Sequence, residues 1–114
     1  MMVKPTRGDC WIVDLGMVAK VRLCLVLSIR ADDDCDRSLM TIVPHTTSTR
    51  GSRFEVVTNV RVLKEGAFDA QQIVSVPTVK LVKRIGALPS EQLTNVEAAV
   101  CRWLGLPYSP PTGG

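Results

Sequence analysis

Aromatic side chains make up only 4% of this 114-residue chain, and histidine occurs once. A core short of rings is filled by Val, Leu and Ile, which favours strands over a helical bundle. The four cysteines (Cys10, Cys24, Cys35, Cys101) form no CxxC pair, and one histidine is too few to complete a zinc set. Cys10, Cys24 and Cys101 sit among apolar neighbours and read as small core hydrophobes in a reducing compartment. Cys35 lies inside DDDCD, where carboxylates oppose a thiolate, so a thiol enzyme is excluded. No apolar run approaches the roughly 18 residues of a membrane span. The N-terminal MMVKPTRGDC lacks the apolar core of a signal peptide, and the expectation is a soluble, cytoplasmic chain with no membrane contact. No repeat and no linker divides the sequence.

A hydrophobic fraction of 46% excludes a disordered protein and suffices for one core. One domain is expected over residues 1–106, with a disordered tail at 107–114. Net charge is +3, too small by itself to prove a nucleic-acid partner. Four of the eleven acids fall within residues 32–36, however, which leaves the remainder distinctly basic.

Short apolar segments bounded by turn residues predict strands at 10–15, 21–29, 54–57 and 70–76, and a further strand opening at residue 39. The run 21–29 is apolar except at Arg22 and Ser28, as in a central strand covered on both faces. Residues 17–20 read as a connector, 30–37 as an acidic surface loop and 66–69 as a turn. Residues 79–84 alternate apolar with basic, predicting one buried face and wet Lys80 and Lys83 or Arg84. Leu93, Val96, Val100, Trp103 and Leu104 recur at helical spacing, with Ser90 as N-cap, Glu91 in the first turn and Gly105 and Pro107 as stops. Strands followed by one closing helix predict a mainly β fold: a small curled antiparallel barrel with the helix packed on it.

Residues 39–57, LMTIVPHTTSTRGSRFEVV, concentrate the polar chemistry. A buried strand opens into five hydroxyls (Thr46, Thr47, Ser48, Thr49, Ser52), two arginines (Arg50, Arg53) and His45. Hydroxyls donate hydrogen bonds and guanidiniums match phosphate geometry, so the segment suits a phosphodiester. An ordinary polar turn uses the same residues.

Several stretches together resemble the MazF/PemK family of toxin endoribonucleases. They are the lead-in Arg7-Gly8-Asp9-Cys10-Trp11-Ile12-Val13-Asp14-Leu15-Gly16, the arginine-bearing strand at 21–28, the hydroxyl-ended strand at 41–48, Gln71-Gln72-Ile73, and LVKRIGAL at 81–88 before the helix. The resemblance spans about residues 7–106. It implies an SH3-like curled barrel of the MazF/CcdB-like toxin fold, usually a homodimer, that cuts single-stranded RNA with no metal or cofactor. It places the two catalytic positions on Arg22 and Thr47, and it implies a cognate antitoxin protein whose acidic and apolar segment occupies the RNA groove. Lys20, His45, Thr46, Ser48, Arg50 and Arg53 are the expected RNA contacts.

Cleavage by the RNA's own 2′-OH needs alignment, charge neutralisation and a proton for the leaving 5′ oxygen. Arg22 would hold the phosphate and Thr47 a non-bridging oxygen. Taken alone, Arg22 also reads as a snorkelling strand residue, Thr47 as an ordinary strand residue and Trp11 as core. Leu23 stands where the family has a proline, the connector before Arg22 is short, and Val74 replaces a common polar residue. Two further readings follow: a non-catalytic RNA- or protein-binding barrel, and a gyrase-directed toxin of the same fold.

Overall fold

The computed structural model of the chain describes residues 3–16, 20–31, 33–58, 60, 63 and 65–110. Most of the expected connector (17–19), parts of the acidic loop and of the 59–65 segment, and residues 111–114 of the expected tail therefore lie outside the described residues. Strands β1 (Asp9–Asp14), β2 (Val21–Val26), β3 (Leu39–Thr46), β4 (Glu55–Val57) and β5 (Ala67–Asp69) are followed by a 3-10 turn at Ala70–Gln72. Then come β6 (Val74–Pro77), a second 3-10 turn at Thr78–Lys80, β7 (Leu81–Ala87) and the helix α1 (Ser90–Leu104). The strands run in the order β4-β5-β3-β2-β1-β7, with β6 also on β3, and every pairing is antiparallel.

β3 is the strand on which the sheet curls. It pairs β6 through Leu39, Met40, Thr41 and Ile42, then β5 through His45 and Thr46, while β2 runs along its other side. Pro44, which has no N–H to give, sits at the handover between the two partners. Alternation then buries both faces. Cys10, Leu25 and Val43 point to one cluster with Phe68, Val96, Ala99 and Val100, beneath the helix. Their neighbours Trp11, Cys24 and Ile42 point to a second, with Val13, Val26 and Met40. Burial pushes the thiols of Cys10 and Cys24 up to about 11 and about 12, so neither supplies a thiolate.

Several local expectations are corrected. The strand expected to run to residue 29 ends at Val26, because Leu27 and Ser28 both donate to the Thr41 carbonyl as the chain turns away. Its opening half is not covered on both faces, since Val21 is exposed. The turn expected at 66–69 is strand β5, whose Phe68 is fully buried. The strand expected at 70–76 begins instead as a 3-10 turn, because Asp69 accepts a hydrogen bond from the Gln71 amide and bends the chain. In the 79–84 stretch only Leu81 is buried; Val79 and Val82 are exposed, because β7 is an edge strand. Ser90 is the first helical residue rather than the cap, which is Pro89, without a side-chain hydrogen bond. Gly105 ends the helix in the left-handed conformation, as expected. Beyond it, the Tyr108 hydroxyl donates to Glu97 at 3.1 Å.

Among the described residues, no helix is long and apolar enough to cross a membrane.

Candidate active site

Arg22 enters β2 opposite Val13 and is half-buried. Its guanidinium spans the gap to β3 and to the turn after β5: Nη2 donates to the His45 carbonyl at 2.7 Å and Nη1 to Gln72 Oε1 at 3.1 Å. Both acceptors are neutral. Among the described residues the ion pairs are Arg7–Glu97 and Arg84–Asp9, so the Arg22 charge is not neutralised by a carboxylate.

His45 is buried at the end of β3, its ring edge-on to Phe68 with centroids 5.2 Å apart. Its Nε2 lies 2.6 Å from the Thr58 hydroxyl. Burial, and then the nearby Arg22 charge, lower its pKa, which keeps the imidazole neutral at pH 7. Gly66 allows this packing: a Cβ there would fall on the Thr46 carbonyl and 2.8 Å from His45 Cε1.

Beyond β3 the chain turns because the Thr46 hydroxyl accepts the Ser48 amide at 3.0 Å. Thr47 occupies the tip of that turn, exposed, with no hydrogen bond to its hydroxyl among the described residues. The following loop is held by Glu55, whose carboxylate accepts the amides of Arg50 and Ser52 at 3.0–3.1 Å.

Two cavities meet at Thr47. One, of about 480 Å³, is lined by Arg22, His45, Thr46 and Thr47 with apolar walls that include Val21 and Ile85. The other, of about 600 Å³, is lined among the described residues by Thr47, Thr49, Ser52 and Thr58 together with Glu55 and Glu65, and by no cationic side chain. Electrostatics assigns an anionic ligand to the first. Of the expected site residues, Arg22, His45, Thr46 and Thr47 come together there. Ser48 is exposed outside both linings, and so is Arg50. Arg53 stacks over the Phe54 ring at 4.7 Å, toward the helix. Lys20 lies outside the lining, itself in the left-handed conformation, and its amide donates to the Gly16 carbonyl. Thr58 and Gly66 carry no functional signal in the sequence, because their contacts with His45 depend on the path of the chain between β4 and β5.

A family model described as "PemK-like, MazF-like toxin of type II toxin-antitoxin system" matches residues 6–104. Among solved structures, an endoribonuclease from a mycobacterial species is 22% identical, with a TM-score of 0.77 over 96% of this chain and 99% of that one. A mycobacterial endoribonuclease in complex with its cognate antitoxin is 23% identical, with a TM-score of 0.78 over 92% and 99%. A MazE–MazF structure from Deinococcus radiodurans is 22% identical, with a TM-score of 0.78 over 93% and 100%. These likenesses establish a shared fold across nearly the whole of both chains.

Proposed function

Because the chain belongs to the PemK-like, MazF-like toxins of type II toxin–antitoxin systems, we propose that residues 1–106 form a growth-inhibiting endoribonuclease that cuts single-stranded mRNA without a metal. The observation that carries this reading is the meeting of Arg22 and Thr47 on one cavity, the arginine held by two neutral acceptors. The substrate's 2′ oxygen attacks phosphorus as the bond to the 5′ oxygen breaks. A 2′,3′-cyclic phosphate and a 5′-hydroxyl result; the proton lost from the 2′-OH is balanced by the one gained at the 5′ oxygen. Arg22 stabilises the charge that gathers on the phosphoryl oxygens, and the Thr47 hydroxyl donates to one of them. His45, whose Nε2 is engaged by Thr58, serves through its main-chain carbonyl. Thr46, Ser48, Lys20, Arg50 and Arg53 provide the surrounding RNA contacts.

The partner that restrains the activity is a cognate antitoxin, whose acidic and apolar segment would cover the same arginine and the apolar walls beside it. A homodimer is supported by edge strand β7, which leaves Val82 and Ile85 exposed. The site of action is the cytoplasm, where the mRNA is.

Purified protein should cut a long single-stranded RNA into discrete fragments in the presence of EDTA, with loss of cutting in both Arg22→Ala and Thr47→Ala. Intact RNA in the wild-type lane, with the RNA retained on a gel, would replace the enzyme by a binding barrel.

A further inference from the structure

Arginine carries only donors, so whatever holds Arg22 must accept. One acceptor is the His45 carbonyl, fixed by the sheet; the other is the side chain of Gln72, fifty residues away in sequence. With Gln72 Oε1 engaged by Arg22, its Nε2 faces Asp69 and donates to Oδ2 at 3.1 Å. The second carboxylate oxygen of Asp69 accepts the Gln71 amide at 3.1 Å and so caps the 3-10 turn on which Gln72 is carried. This chain of bonds runs one way only: donor guanidinium, acceptor–donor amide, acceptor carboxylate. A side-chain amide can stand between a cation and an anion while being neither. A carboxylate at position 72 would neutralise Arg22 and repel Asp69; an apolar side chain would hold nothing.

We infer that Gln72 is the positioning residue for Arg22: its Oε1 fixes the angle of the guanidinium, and its neutral amide keeps that cation separate from Asp69 and open to a phosphate. The inference deepens the nuclease reading, and its activity readout rests on it. Asp69 acts one step further back, by fixing which end of the amide faces Arg22.

Two measurements test this, and they fail separately. Nitrogen-15 spectra of the arginine side chains should show hindered rotation of the Arg22 guanidinium in wild type and in Gln71→Ala, which leaves the side-chain chain of bonds intact. Gln72→Met, similar in length but without either hydrogen bond, should free that rotation. In RNA cleavage, Gln72→Met should lower kcat roughly ten-fold with little change in KM, as expected when a reacting group is loosened rather than removed. Gln72→Glu should instead raise KM and remove about one phosphate's worth of the salt dependence of RNA binding. Asp69→Asn keeps the cap acceptor but can set an amide against the Gln72 amide donor to donor, and should track Gln72→Met. Cleavage lost in Arg22→Ala yet unchanged in both Gln72 variants, with guanidinium rotation also unchanged, overturns the inference and leaves the nuclease standing. Wild type without cleavage, but with Arg22 loosened by Gln72→Met, overturns the nuclease and leaves the positioning role standing.

Discussion

Two arginines in this fold stand in opposite relations to their surroundings. Arg84, on β7, donates its Nε to Asp9 Oδ1 at 3.3 Å, and Asp9 is itself buried, its Oδ2 accepting the Thr6 amide at 3.0 Å and the Trp11 indole at 3.3 Å. That cation meets a carboxylate, and the pair ties the lead-in Arg7-Gly8-Asp9 and β1 to β7. Gly8 completes the knot in a left-handed conformation, its amide on the Val26 carbonyl and its carbonyl accepting the Leu88 amide. Arg22 meets a main-chain carbonyl and an amide instead. An arginine satisfied by a carboxylate belongs to the architecture. An arginine oriented by neutral acceptors keeps its charge for a ligand.

The comparison is broken most directly at Arg22. Arg22→Ala should lower the cleavage rate by a factor corresponding to about 3–4 kcal/mol, the range for removing one charge-stabilising donor. Stability should change by about 1 kcal/mol or less, because the two lost hydrogen bonds are partly exposed. Single-turnover cleavage and urea unfolding of the same preparations separate the two effects. An equal fall in both would mean that Arg22 is a second architectural arginine.

Asp9→Ala should show the reverse. It leaves a buried indole N–H and a main-chain amide without their acceptor, and should cost roughly 2–3 kcal/mol of stability. Folded protein at low temperature should still cut RNA. Arg84→Ala should cost less, about 1 kcal/mol or below, since its side chain is substantially exposed and solvent screens the pair. Unfolding curves for the two variants rank them; a larger loss in Arg84→Ala would place the stabilisation in the ion pair rather than in the carboxylate's hydrogen bonds.

How far the sequence reveals these roles depends on the range of the interactions. β1, β2 and β3 are visible because their apolar residues lie on both faces of a covered sheet, and the helix because Leu93, Val96 and Val100 recur at its period. The last two of that series, Trp103 and Leu104, keep the period but lie exposed near the C-terminus. β5 is not legible: Ala67–Asp69 is too short for alternation to register, and it becomes a strand only because β3 and β4 flank it. AQQIVSV looks like one strand until Asp69 caps the Gln71 amide. At the site, the hydroxyl-ended strand brings His45, Thr46 and Thr47 close by simple adjacency, and antiparallel pairing of β2 with β3 adds Arg22. The contact of Gln72 with Arg22 has no local signal, since it is made by the path of the chain through β5 and the 3-10 turn.

The smallest effect is the most specific test of the Arg22 charge. The chain has a single histidine, so one imidazole titration can be assigned without ambiguity. The pKa of His45 is lowered from its ordinary value of 6.5, first by burial and then by Arg22. Among the described residues the ring meets Phe68 and the Thr58 hydroxyl, and the charge acting on it is that of Arg22. With the folded value depressed, the unfolded chain binds more protons below about pH 6.5, so stability is fully present above that pH and falls as pH drops through the folded value. The thermal midpoint should therefore decline between pH 7 and 5, and decline less in His45→Gln. Arg22→Ala should move the imidazole midpoint upward but not fully to 6.5, because burial remains the larger cause. Arg84→Ala should leave it where it is. An imidazole that titrates identically with and without Arg22 would mean that some group neutralises this arginine in solution, and the contrast between the two arginines would be lost.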